Sequence, residues 1–445
     1  MAHRLFPGIY EGWIVVFSGG LVILTISATF FYGFGVFFTD ILKEFGWSVA
    51  ATSLAFSLRS EIGGLGAPLV GIGIDRYGAR RMVMFSVVMT GIGVLLLSFI
   101  QNLWQFYAAM IVIAIGSSGA GGQTALSAVA TWFQRRRSMA MSLTTVGGGL
   151  GGVLVVGIAW LVEEFGWRIA LRAMVAGIVV VGVGLGSQVR SRPRGHPQPI
   201  DGREYLDADG RAMSATTMWG IPPLRAVRTR GFIFSSLAMI MLSFATTAFL
   251  VHQVPFLERL GVSKADASWS VALLTIASVG GRVGLGMLGD RIPKTTLLAV
   301  CGLLVAAGIL VLSQASTLQH AVIATLLLAP GFGGAMPIRP AMMADYFGTK
   351  YFGSLNGTAA LINTTGGAVG PWVVGRIVDA TGVYQLGWYT AAGAALLSIP
   401  LVLLATAPHR LAEHYRTEAE RSAAGSAVGA AGAVVPSTPQ GTRAP

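Results

Sequence analysis

Apolar runs of about 20 residues, separated by short polar turns, recur along almost the whole chain. A run of that length crosses the ~30 Å hydrocarbon layer as a helix rising 1.5 Å per residue, and a helix satisfies its own backbone inside lipid. The pattern predicts twelve spans. The first six are Trp13 to Phe38, Ser48 to Val70, Met82 to Ile100, Gln105 to Phe133, Met139 to Val162 and Trp167 to Val189. The second six are Gly231 to Leu257, Ala267 to Leu288, Thr295 to Ser313, Gln319 to Ala344, Phe352 to Val378 and Val383 to Ala407. The expected organisation is an N-terminal six-helix bundle over 1–189, a linker over 190–230, a C-terminal six-helix bundle over 231–407 and a tail over 408–445. The linker mixes arginines with acids and prolines and reads as a surface tether, with room for a short helix. From about Ser422 the tail is Ala, Gly, Ser, Val and Pro without helical periodicity, a composition that predicts disorder. The apolar run after the short leader is longer than the ~7–15 residues of a signal-peptide core, so span 1 is expected to be retained.

Composition agrees with an all-α integral membrane protein. Of 445 residues, 53% are hydrophobic and 11% charged, against about 25% charged in soluble domains. The 60 glycines follow no Gly-X-Y period and suit close helix packing in lipid. A net charge of +12 raises the question of nucleic acid, but its placement gives another answer. With the amino terminus inside, 22 of the 31 Lys and Arg fall on the inner side, 5 outside and 4 within spans. That asymmetry predicts a multi-pass cell-membrane protein with both termini cytoplasmic. The lone Cys301 offers no disulfide or thiolate metal site. Nucleophile triads, metal-ligand clusters and phosphate-binding loops are missing from the sequence, so neither an enzyme nor a cofactor is expected. The expected partners are the bilayer and a small-molecule substrate, and a monomer suffices.

The two halves echo each other. GIGIDRYGARR after span 2 corresponds to GMLGDRIPK after span 8, which sets Asp75 and Arg76 215 positions before Asp290 and Arg291. ATWFQRRRSMAMSL after span 4 corresponds to ADYFGTKYFGSLNG after span 10, with Phe133 and Phe347 214 apart. Two matches at nearly one offset indicate duplicated bundles, an architecture that holds substrate near the bilayer midplane and exposes it alternately to either side.

Gly71, Asp75, Arg76, Gly78, Arg80 and Arg81 resemble the loop motif of the major facilitator superfamily, and Asp290-Arg291 its degraded second copy. The resemblance covers roughly residues 10 to 407 and implies the twelve-helix major facilitator fold. It also implies a cytoplasmic gate at Asp75, Arg76, Arg80, Arg81, Asp290 and Arg291; the bland reading is that these arginines only enforce topology. Glu11-Gly12-Trp13 opening span 1, and Trp132 to Gly152 across spans 4 and 5, are similar to the monocarboxylate porters and their oxalate:formate exchanger relatives. Ser142 departs from that pattern where glycine is usual, and Gln123 lies near a position where tyrosine is common.

Ionisable residues inside the membrane are costly and point to function. Arg172 and Arg339 lie about one turn from span ends, where long side chains reach water. Arg282 sits deeper, among small residues, and matches the arginine that monocarboxylate porters use for the substrate carboxylate. Its planar fork suits a carboxylate, although a structural ion pair is the alternative. Arg59 and Glu61, near the middle of span 2, are two apart and cannot pair on one helix face. Glu61 is a candidate for a coupling proton, or the neutralising partner of an arginine on another helix. Ser278 replaces the acid usual one turn before the span 8 arginine, which counts against proton coupling. Gln123, Asn363 and His252 are further candidates for the substrate site, with cross-helix bonding as the alternative.

The expectation is a secondary active transporter of a small organic anion, a lactate- or pyruvate-like monocarboxylate, with proton coupling open. Span 11 carries Gly370-Pro371, like the Gly-Pro motif that drug antiporters have in span 5. A multidrug or other proton-antiporting exporter, and more remotely a non-transporting sensor, therefore remain as alternatives.

Overall fold

The computed structural model describes residues 10–47, 49–120, 122–193, 200–202 and 218–432. Among them helices dominate, and each of the twelve expected spans is present. Span 1 comprises Glu11–Ile26, a π-helical turn Ser27–Tyr32, and Phe34–Phe45. Spans 2 and 3 are Val49–Tyr77 and Ala79–Leu97, parted by Gly78 at φ 84°, a conformation glycine adopts without strain. Span 4 is Leu103–Ala120 with Gly122–Trp132, and span 5 is Arg137–Leu150 with Leu154–Phe165, joined by the 3-10 turn Gly151–Val153. Span 6 is Trp167–Gly186. The second bundle contains Arg230–Arg259, Lys264–Leu288, Lys294–Ser313, Leu318–Phe347, Phe352–Thr381 and Gln385–Leu403.

Nine of these helices are apolar enough to cross a membrane on composition alone. Spans 2, 8 and 11 fall short of that measure. Span 2 lies against span 11, and span 8 against span 5, on the seam between the bundles.

Each bundle has its own core. One cluster fills the second bundle alone, around Phe249, Trp388 and Leu328. The other fills the first bundle and also takes in Ala341, Phe347, Phe352 and Leu355 from spans 10 and 11. The bundles are therefore fused on the face where the linker runs, here called the linker face. The segments of spans 1 and 5 toward the opposite face, Phe34–Phe45 and Leu154–Phe165, pack chiefly within their own bundle.

The two segments Glu11 to Trp13 and Trp132 to Gly152 meet at the linker face. The Trp13 and Phe133 rings lie 4.8 Å apart, the Tyr10 hydroxyl donates to the Trp132 carbonyl at 2.6 Å, and Glu11 pairs with Arg190.

The linker is more than a tether. Asp201, buried and at φ 60°, accepts from the backbone N–H groups of Gln134, Arg135 and Arg136 at 3.1, 3.0 and 3.3 Å. The Trp219 carbonyl accepts from Thr349 and Lys350 at 3.0 and 3.1 Å. One linker thus caps the equivalent turn in each bundle. The short linker helix is Pro223–Ala226.

Two expectations change. The tail is helical over His409–Gly432, past Ser422, because an alanine-rich stretch propagates a helix already started. It docks on the linker, with Arg416 4.5 Å from the Trp219 ring and Arg225 donating to the Tyr415 hydroxyl at 2.7 Å. Residues 433–445 lie outside the described residues. Span 10 runs on to Phe347, so Arg339 is eight residues, ~12 Å, from its end and not one turn.

Trp388 is fully buried, with its ring 5.6 Å from Phe256 and 5.8 Å from Tyr384. Trp388→Ala should cost about 3–5 kcal/mol, seen as a markedly lower melting temperature of the purified protein.

Candidate functional site

Two aspartates close the linker face in the same way. Asp75, at the end of span 2, accepts from the backbone N–H groups of Gly353 and Ser354 at 2.9 and 2.7 Å, and from the Ser354 hydroxyl. Asp290, in the turn after span 8, accepts from the backbone N–H groups of Ser138 and Met139 at 2.8 and 3.1 Å. Each carboxylate therefore caps the first turn of a helix in the other bundle, where unpaired N–H groups and the helix dipole favour negative charge. The partners keep the spacing of the aspartates, since Gly353 and Ser354 also lie 215 positions after Ser138 and Met139.

Close backbone approach makes these caps possible. A Cβ on Gly71 would collide with the Gly353 carbonyl, and one on Gly353 would lie 2.6 Å from the Gly71 carbonyl. Gln123 bridges the same seam, donating to the carbonyls of Ala67 at 3.1 Å and Gly353 at 3.2 Å. The structure thus places this substrate-site candidate in the closure. Arg137 pairs with Asp345, which also holds Lys294 at 2.7 Å. Sequence reasoning missed Asp345 and Asp201, because an acid beside a basic loop has no signature until the fold brings the two together. Arg76 lies 5.5 Å from the Tyr77 ring, and the side chains of Arg80, Arg81 and Arg291 make no hydrogen bond or ion pair among the described residues.

Arg282 lies in the seam between spans 8 and 5. It is 3% exposed, and its Nη1 donates to the Thr145 carbonyl at 2.6 Å. The glycine run of span 5 makes room for it: a Cβ on Gly149 would come within 3.0 Å of Nη1. His252 is a wall residue, its Nε2 2.9 Å from the Pro371 carbonyl. Because that oxygen only accepts, Nε2 carries the proton. Gly370 packs on the Phe244 carbonyl of span 7, so the Gly-Pro pair tightens the contact between two helices of one bundle. The side chains of Arg59 and Glu61 lie outside the described residues.

A cavity of about 370 Å³ opens between spans 7, 10 and 11. Ser243, Phe332 and Asn363 line it near the middle of three 30-residue helices, which is the depth expected of a carrier's binding site. Arg339 lines it too. Its Nη2 donates to the side-chain amide oxygen of Asn356 at 3.1 Å, while Nη1, out of contact with water, has no hydrogen-bond partner among the described residues. Of the four substrate-site candidates, Asn363 alone lines this cavity, joined by an arginine that sequence position had assigned to snorkelling.

Burial pushes the Asp290 carboxyl above the usual carboxylate range, opposed by the N–H groups of Ser138 and Met139 and by Lys294, while Asp345 adds to the rise. The closed arrangement therefore binds this proton more tightly than an opened one. Its contribution is complete below the ordinary carboxylate range and fades as pH rises through the raised value. A cysteine introduced at Met139 should label faster from the linker side as pH climbs through that window, and Asp290→Asn should flatten the dependence. Independently, Asp75→Ala removes the acceptor that caps Gly353 and Ser354, a loss of about 1–2 kcal/mol, so labelling at neutral pH should rise about fivefold to thirtyfold.

The Major Facilitator Superfamily family model matches residues 20–329 and 233–435. Monocarboxylate transporter 13 of Bos taurus is 26% identical over 406 residues, covering 89% of each chain. Among solved structures, the human organic anion transporter MFSD10 superposes with a TM-score of 0.68 at 17% identity, covering 88% of this chain and 100% of that one. The E. coli fucose:proton symporter FucP gives 0.67 at 18% identity, covering 88% and 98%. With the model matching well over half of the sequence, this chain belongs to the major facilitator superfamily of membrane transporters.

Proposed function

We propose that this transporter carries a small organic monoanion, a monocarboxylate, across the cell membrane by alternating access. One observation carries the reading: a permanently charged guanidinium, Arg339, faces a cavity at mid-membrane depth with only a neutral amide as partner among the described residues. A buried cation with no counter-charge among the described residues is costly, and an anionic substrate supplies one. The relatives named monocarboxylate transporters, which match over most of their length, support the same chemistry.

The excess of positive residues on the linker face makes that face cytoplasmic, with both termini inside. The closed seam is then the cytoplasmic gate, and this conformer takes substrate from outside. A carboxylate accepts from the Arg339 fork while Asn363 orients it. Rocking of the bundles pulls Ser138 and Met139 away from Asp290, and Gly353 and Ser354 away from Asp75. It also parts span 8 from span 5, which frees Arg282 to meet the anion in the other conformer. Glu61 is the group to test for a coupling proton.

Proteoliposomes containing the purified protein should show counterflow of labelled monocarboxylates and none of lipophilic cations. Arg339→Gln removes a charged hydrogen bond worth roughly 1.5–3 kcal/mol and should lower uptake about tenfold to a hundredfold. Counterflow of cations in place of anions would establish a drug exporter.

A further inference from the structure

The walls of the Arg339 cavity say more about the substrate than its charge. Beside Arg339 and Asn363 they consist largely of apolar groups, among them Leu242, Leu250, Phe332 and Met336. At roughly 30 Å³ per water, the space of about 370 Å³ holds on the order of ten waters. An acid of lactate's size would displace only a few of them and leave the rest against hydrocarbon. The volume lies in the ~300–1,000 Å³ range of pockets that enclose drug-sized ligands, which are commonly apolar with a few converging polar groups. Among the described residues Arg339 is the one charged group on the lining, and they offer no second cation to a second carboxylate.

Resting on the anion-carrier reading, we infer that the substrate is a monocarboxylate with an extended apolar body, a medium-length alkyl or an aryl acid. Its carboxylate meets the Arg339 guanidinium, and its body lies along Leu242, Leu250, Phe332 and Met336. The span 7 hydroxyls of Ser243 and Thr247 flank it and leave room for one polar substituent.

The test uses the full-length protein and two homologous series, straight-chain carboxylates from two to about ten carbons and the matching amines. Each is assayed as a competitor of counterflow and as a protectant of Ser243→Cys against a membrane-impermeant thiol reagent. The one native thiol, Cys301, is fully buried, so background labelling is low. Potency should rise about threefold to fourfold per methylene until the cavity is filled, then level off, and the same acids should slow labelling. If potency is flat, or greatest for acids of two or three carbons, the extended-body inference is overturned while the anion reading stands. If the amines compete and protect and the acids do neither, both fall. The competition series runs on the unsubstituted chain, so it decides the matter even where Ser243→Cys does not fold.

Discussion

Everything on the linker face depends on a carboxylate meeting the open end of a helix. Spans 5 and 11 each begin with N–H groups that no residue in their own helix can satisfy. In each case the acceptor comes from the opposite bundle, Asp290 for Ser138 and Met139, Asp75 for Gly353 and Ser354. This exchange ties the two bundles together beside the apolar residues of spans 10 and 11 that join the first bundle's core. It is also reversible, since water can replace each partner once the turns separate. A seam built only of packed leucines would hold as well, but it would expose apolar surface each time it parted.

The linker and tail add a second layer to this arrangement. Asp201 and the Trp219 carbonyl cap the 4–5 and 10–11 turns, the same two turns whose next residues receive Asp290 and Asp75. The tail helix rests on Trp219 through Arg416. Movement of the bundles must therefore pass through a strap fastened to both, which ties the geometry of the linker to that of the seam.

Much of the fold was legible in the sequence because lipid leaves a chain few options, and twelve apolar runs with a 215-residue echo suffice to specify two six-helix bundles. Asp75 and Asp290 were legible as a pair for the same reason. The site was less so. Side-chain direction on a helix is invisible to hydropathy, which is why the seam contacts of Gln123 and Arg282 are not legible in the sequence. Arg339 was misjudged by a boundary, since the apolar window closes at Ala344 while the helix continues to Phe347. Asp201 belongs to a polar linker whose fold depends on contacts more than 60 residues away.

The binding cavity and the seam are also connected. Asn356, which holds the Nη2 of Arg339, lies within one turn of Gly353 and Ser354, where Asp75 caps span 11. A carboxylate that takes the Arg339 fork competes with Asn356 for it, and so acts on the same turn of helix that the closure depends on. A ligand can move a conformational equilibrium only by binding its states unequally. Under the proposed reading that inequality has a candidate source, because Asn356, which holds the Nη2 of Arg339, belongs to the first turns of span 11, whose end Asp75 caps when the linker face is closed.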